Sequence, residues 1–296
     1  MDWNFDISRK RLQYIVKSVP RGYVLLINNE TFRNGMEQRR FGSQRDYTML
    51  KEMWEDFGYQ IKEYYNLGLT SFQKAITDFA KMEEHACVDS AIVFIMSHGK
   101  EDETNPRAVK IVTTDDQYIS SDWIKEQFSS FNCCRLINKP KIIFFQACRG
   151  SLRDRGIVVN IPDMITFTNN NNNNHVVPAM TDLLIVFPTL PGYVSQRDTR
   201  LGAWFVQECI SVFRSDCQRS DLLTMLNKVD QNVREKCERD HDAYFQVVYY
   251  ESWGFNKKMF FRDKKRKNRR KDEAAVIDDP DREPFLMLNS NNMGII

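Results

Sequence analysis

Apolar residues along this chain fall into two rhythms that alternate over its first half. Residues 22–28 (GYVLLIN) form a short, unbroken apolar run with β-branched members, which predicts a strand buried on both faces. Residues 45–57 instead place Leu50, Met53, Trp54 and Phe57 at helical spacing and stop at Gly58. A second strand is expected over 59–65 and a second helix over 70–82, with Phe72, Ala75, Ile76 and Phe79 along one stripe. Two further apolar runs, 91–96 (AIVFIM) and 142–145 (IIFF), end at Ser97-His98-Gly99 and at Gln146-Ala147-Cys148-Arg149-Gly150. Continuous apolar strands separated by helices predict an α/β domain whose parallel sheet is covered on both faces. In such sheets function gathers just beyond the carboxyl ends of the strands, where His98 and Cys148 both fall.

The pattern breaks over 151–181, which lacks periodicity and contains an unbroken run of asparagines at 169–174. This segment is expected to be an exposed linker. Regular structure is expected to resume with a strand at 183–187, helices at about 201–214 and 220–237, and closing strands at 246–250 and 258–261. Beyond 261 the apolar periodicity stops, so 262–296 reads as a disordered tail.

Composition narrows the class. With 42% hydrophobic and 28% charged residues in 296, the chain has enough apolar material for a sizeable core. No stretch resembles a signal peptide or reaches membrane-spanning length, so no membrane partner is expected. The seven cysteines include no CxxC pair, which fits reduced thiols in a cytoplasmic protein better than a disulfide framework. None of the four histidines stands at zinc-ligand spacing from a cysteine pair, and neither a metal nor a cofactor is expected. The net charge of +2 is uninformative. Its distribution is not, because 262–271 (RDKKRKNRRK) is a dense basic run. That run resembles a nuclear import signal; with no interleaved aromatics it gives no support to nucleic-acid binding.

The candidate chemistry is acyl transfer. A thiol becomes a nucleophile near neutral pH when an imidazole takes its proton, and backbone N–H groups must meet the developing oxyanion. Cys148 behind one strand, with His98 and the side-chain-free Gly99 behind another, could supply all three. Singly, a cysteine behind an apolar strand is more often a buried structural thiol. Together, QACRG at 146–150 with a histidine fifty residues upstream matches the signature of the caspase family.

From 21 to 261 the chain resembles a caspase catalytic domain in order as well as content. YVLLINNETF (23–32), RRFGSQRD (39–46), SHG (97–99), KPKIIFFQACRG (139–150), LPGYVSQR (190–197) and GAWFVQE (202–208) follow the family's sequence of segments. The resemblance implies a caspase-like α/β fold, a six-stranded, mostly parallel sheet flanked by helices. It also implies a short leader (1–20), a large-subunit region (21–150), a cleavable linker (151–181) and a small-subunit region (182–261). His98 and Cys148 would be the catalytic dyad, with the N–H groups of Gly99 and Cys148 as oxyanion hole. Arg40 and Arg197, with Gln146 and Ser195 beside them, would read a substrate aspartate, since a guanidinium fork matches a carboxylate and keeps its charge. Asp163 is the expected processing site. The implied partners are protein substrates with aspartate at the cleavage site, a second copy of the chain, and caspase inhibitors or activating caspases.

Gln196 departs from the family, which usually carries an aromatic there as a wall for the next substrate side chain upstream. Pro188-Thr189-Leu190 and the tail also depart. With no death-fold segment ahead of the domain, an effector-type member is expected. The alternative reading is a catalytically inactive relative that binds an active one.

Overall fold

A computed structural model describes residues 12–33, 35, 37–153, 178–240 and 244–261. The expected linker site Asp163, the asparagine run and the basic tail lie outside the described residues. In chain order the elements are β1 (Gly22–Asn28), α1 (Ser43–Asp56), β2 (Gln60–Tyr65), α2 (Leu69–Lys81), β3 (Ser90–Met96), β4 (Gly99–Glu101), β5 (Val109–Val112), β6 (Tyr118–Ser120) and α3 (Ser121–Glu126). There follow β7 (Lys141–Gln146), β8 (Leu183–Phe187), β9 (Arg197–Asp198), β10 (Gly202–Ala203), α4 (Trp204–Asp216), α5 (Leu222–Arg239) and β11 (Tyr249–Trp253).

Six strands make the main sheet in the order β11-β8-β7-β3-β1-β2. All neighbours are parallel except β11, which runs antiparallel to β8. The unbroken apolar runs follow from burial on both faces. Along β1, Val24 and Leu26 pack on one side with α1, α4 and α5, whereas Leu25 and Ile27 pack on the other with α2 and α3. β3 and β7 repeat the division, with Phe94 stacked on Phe144 on the first face and Phe145 on Phe187 on the second. At two helix starts a short polar group takes an otherwise free amide: Ser120 accepts from Asp122 N–H, and Asp221 from Thr224 N–H.

The C-terminal strands differ from expectation. The closing strand is Tyr249–Trp253, not 246–250, because amides and side chains just before it are engaged elsewhere. Val248 N–H donates to Asp230 and the Gln246 side chain accepts from Gln196 N–H. Residues 258–261 form no strand of the sheet. Lys258 bridges instead to Gln13, and Leu222 N–H donates to the Met259 carbonyl. The three-stranded sheet β4-β5-β6 and helix α3 have apolar runs too short for periodicity to reveal.

The segment just ahead of β1 is built into the domain. Tyr14 is 4% exposed, packs 4.9 Å from the Phe255 ring, and donates through its hydroxyl to Asp182 Oδ1 at 2.9 Å. Burial and the Asp182 carboxylate push that hydroxyl's pKa far up, so it stays a donor. Asp182 in turn accepts from Lys141 N–H through its carbonyl, which ties the segment to the β7–β8 junction. Tyr14→Phe leaves a buried carboxylate one donor short. It should lower the unfolding free energy by about 1–2 kcal/mol in urea titrations, and an unchanged midpoint would show that the bond contributes nothing.

Candidate active site

Three parallel strands end level: Asn28 lies opposite Met96, and Met96 opposite Gln146. His98 and Cys148 each come two residues after a paired position, so the register of β3 on β7 sets them along one edge. Ser97 N–H donates to the Gln146 carbonyl at 3.2 Å and Asn29 N–H to the Met96 carbonyl at 2.9 Å, which extends the ladder to the site itself.

Gly99 lies against the Cys148 backbone. A Cβ built there would stand 2.2 Å from the Cys148 carbonyl oxygen, so only glycine fits. Cys148 Sγ accepts from Ser195 N–H at 3.4 Å, and the Ser195 hydroxyl accepts from Gln146 Nε2 at 3.0 Å. His98 is held separately. Its ring packs 5.1 Å from Phe32, and Nε2 donates to the Gln38 carbonyl at 2.7 Å. That bond leaves Nδ1 as the free base nitrogen of the neutral ring. No hydrogen bond joins His98 to Cys148 in this arrangement. Burial lowers the imidazole pKa, the Gln38 carbonyl and Glu37 work against that, and Arg40 and Arg197 add to it.

Arg40 and Arg197 converge beside these groups. Arg40 is 2% exposed and donates from Nη1 to Asn28 Oδ1 at 3.1 Å and the Asn29 carbonyl at 2.9 Å. Its Nε and Nη2, Nη1 of Arg197 and Oε1 of Gln146 are buried without a hydrogen-bond partner. Among the described residues neither arginine has a carboxylate within ion-pair distance. Burial, and for Arg40 the charge of Arg197, lower both guanidinium pKa values. A guanidinium keeps its proton under such stress, so the shift expresses the cost of two like charges in a dry cleft. An anion entering between them would relieve that cost.

Several supporting residues escaped the sequence reading. Asn28 and Asn29 turn their amides inward; Asn29 donates to the Leu67 and Val112 carbonyls and accepts from Leu67 N–H. Asp46 accepts from Ala203 N–H and so fixes the β9–β10 hairpin that carries Arg197. Gly202, at φ 95, lies so close that a Cβ would sit 1.9 Å from Asp46 Oδ1. The orienting atom on His98 is a backbone carbonyl, which leaves no signature in residue type. Gln196 is turned to the 244–246 segment, its Nε2 donating to the Tyr244 carbonyl at 3.0 Å. Beside Gly99 and Gly150 opens a cavity of about 570 Å³ walled by Lys100, Lys110 and Tyr118.

The family model of the caspase domain matches residues 21–260. The chain belongs to the caspase family. Cell death protein 3 of Caenorhabditis remanei is 31% identical over 239 residues, covering 73% of this chain and 45% of the relative. Caspase-2 of Gallus gallus is 28% identical over 242 residues, covering 78% and 55%. The caspase thus spans about half the length of these curated relatives. The crystal structure of caspase-1 from Spodoptera frugiperda superposes with a TM-score of 0.71 at 26% identity, over 86% of this chain and 95% of that one. The six-stranded sheet flanked by helices is the caspase fold.

Asp46 gives the site a pH signature. Burial raises its pKa from 3.8 to about 6, against the Ala203 N–H and the three nearby arginines. The folded chain therefore holds this proton more tightly than the unfolded chain. Its contribution to stability is full below about pH 4 and is lost as pH rises through about 6. Asp46→Asn should remove a decline on the order of 2 kcal/mol between those limits, read as the wild-type-minus-variant difference in urea melts; a difference independent of pH would contradict it.

Proposed function

We propose that this caspase domain is an active endopeptidase that hydrolyses peptide bonds after aspartate, in apoptosis or related proteolytic signalling. The observation that carries the reading is the pair of guanidiniums, buried Arg40 and half-buried Arg197, with buried, unpartnered nitrogens beside Cys148. A substrate aspartate seated there supplies the missing negative charge and brings its carbonyl to Cys148. His98 Nδ1 takes the thiol proton, Sγ attacks the carbonyl carbon, and the N–H groups of Gly99 and Cys148 receive the oxyanion. His98 then returns the proton to the leaving amine, and water hydrolyses the thioester. The aspartate's charge also offsets the repulsion that Arg40 and Arg197 exert on the imidazolium.

For this step the Ser195 N–H must give up its hold on Sγ and His98 must close on the thiol. We assign that change to assembly and processing, with Asp163 as the linker cleavage site and a homodimer as the working form. The placement of β11 at the sheet's edge supports a dimer joined there. Partners would then include caspase inhibitors and activating caspases, in the cytoplasm or, through 262–271, the nucleus. The rival reading, an inactive regulator, is supported only by Gln196.

Acetyl-tetrapeptide fluorogenic substrates test the proposal on linker-cut protein. Turnover is expected with aspartate before the scissile bond, none with Cys148→Ala, and a loss of at least ~10³-fold in kcat/KM with Arg197→Ala. Absence of turnover, or turnover that survives Cys148→Ala, would overturn it.

A further inference from the structure

Glu37 lies beside the catalytic histidine and has no part in the mechanism above. Its Oε2 stands 4.0 Å from His98 Nδ1, the nitrogen left free by the Gln38 bond, and its side chain is 17% exposed. Its other oxygen is held by Lys100 Nζ at 2.8 Å. Lys100 is fixed in turn by the Tyr118 hydroxyl at 3.2 Å, with its Nζ over that ring. The carboxylate is thus anchored on one oxygen and offered to the imidazole on the other.

Among the described residues, charged groups from three elements act on His98 besides Glu37. Arg40, after β1, and Arg197, in β9, push positive charge off the ring, and Lys100, in β4, faces it through Glu37. Cys148 supplies the proton and becomes negative only after transfer. Among the described residues Glu37 is the carboxylate within ion-pair distance of the ring. Without it, the imidazolium formed at Nδ1 would meet, among the described residues, the like charges of Arg40 and Arg197 and the thiolate it had just left.

We infer that Glu37 is a positioning residue for the proton relay, acting through His98 to stabilise the thiolate–imidazolium pair, with Lys100 setting how much of its charge His98 receives. The proposal rests on the protease reading for its purpose but not for its test. In the step concerned, the Cys148 S–H bond breaks, the proton binds His98 Nδ1, and the electron pair remains on sulfur. Glu37 neither gives nor takes a proton. In water two unit charges about 4 Å apart change a protonation constant roughly fivefold; partial burial enlarges this and the Lys100 charge diminishes it.

Ring-labelled histidine NMR of the full chain, with His98 assigned by loss of its signal in His98→Gln, measures the pKa without any substrate. Glu37→Gln should weaken His98 protonation by about 3- to 10-fold, and Lys100→Met should strengthen it by a similar factor. The rate of Cys148 alkylation by iodoacetamide near pH 6.5 should fall in the first variant and rise in the second. A His98 pKa unmoved in Glu37→Gln would overturn the inference. So would shifts of the same sign in both variants, because loss of a merely structural contact has no reason to change sign. If peptide cleavage is absent while the titration moves as stated, the protease reading fails and the Glu37–His98 coupling stands.

Discussion

The pairing of β3 with β7, Met96 opposite Gln146, is the constraint on which the rest of the site depends. Successive residues of a strand face opposite sides and advance about 3.3 Å, so a slip of one would exchange the side chains of the two cores. Close packing on each face, Phe94 on Phe144 and Phe145 on Phe187, resists that slip. The apolar interior therefore fixes where two polar residues, His98 and Cys148, emerge at the edge. Gly99 completes the arrangement because its missing side chain lets the β4 backbone lie against Cys148.

A second constraint is electrostatic. The fold brings Arg40 from the loop behind β1 and Arg197 from the β9–β10 hairpin into one cleft and leaves part of each guanidinium unpaired. Asp46 compensates at one remove, through the backbone of the hairpin and through its field, without an ion pair to either arginine. The cleft is thus strained toward an anion in the chain alone. This differs from a structural ion pair, in which the partners would already have met. His98 feels the same positive field, and Glu37 opposes it.

Much of the framework was legible in the sequence because it rests on long apolar runs. β1, β3, β7 and β8 are continuous hydrophobic segments, and α2 shows a clean stripe at Phe72, Ala75, Ile76 and Phe79. The candidate site was legible where a residue type carries the chemistry, as with Cys148, His98 and the two arginines. It was illegible where a backbone atom or a distant side chain does the positioning. Gln38 acts through its carbonyl, Asp46 reaches Ala203 across 157 positions, and Asp230 takes the Val248 amide that a strand at 246–250 would have needed. Glu37 reads as an ordinary loop carboxylate until His98 and Lys100 are seen on either side of it.

The proposed role of Arg40 and Arg197 is to hold a carboxylate next to a reactive Cys148. It is tested most directly by the equilibrium binding of two peptide aldehydes that differ only in their terminal residue, aspartate or asparagine, to linker-cut protein. Cys148 adds reversibly to either aldehyde, so the difference isolates the carboxylate. The aspartyl aldehyde should bind at least ~10³-fold more tightly, and Arg40→Ala or Arg197→Ala should remove most of that preference. Equal affinity for the two aldehydes, or a preference that survives loss of either arginine, would contradict it.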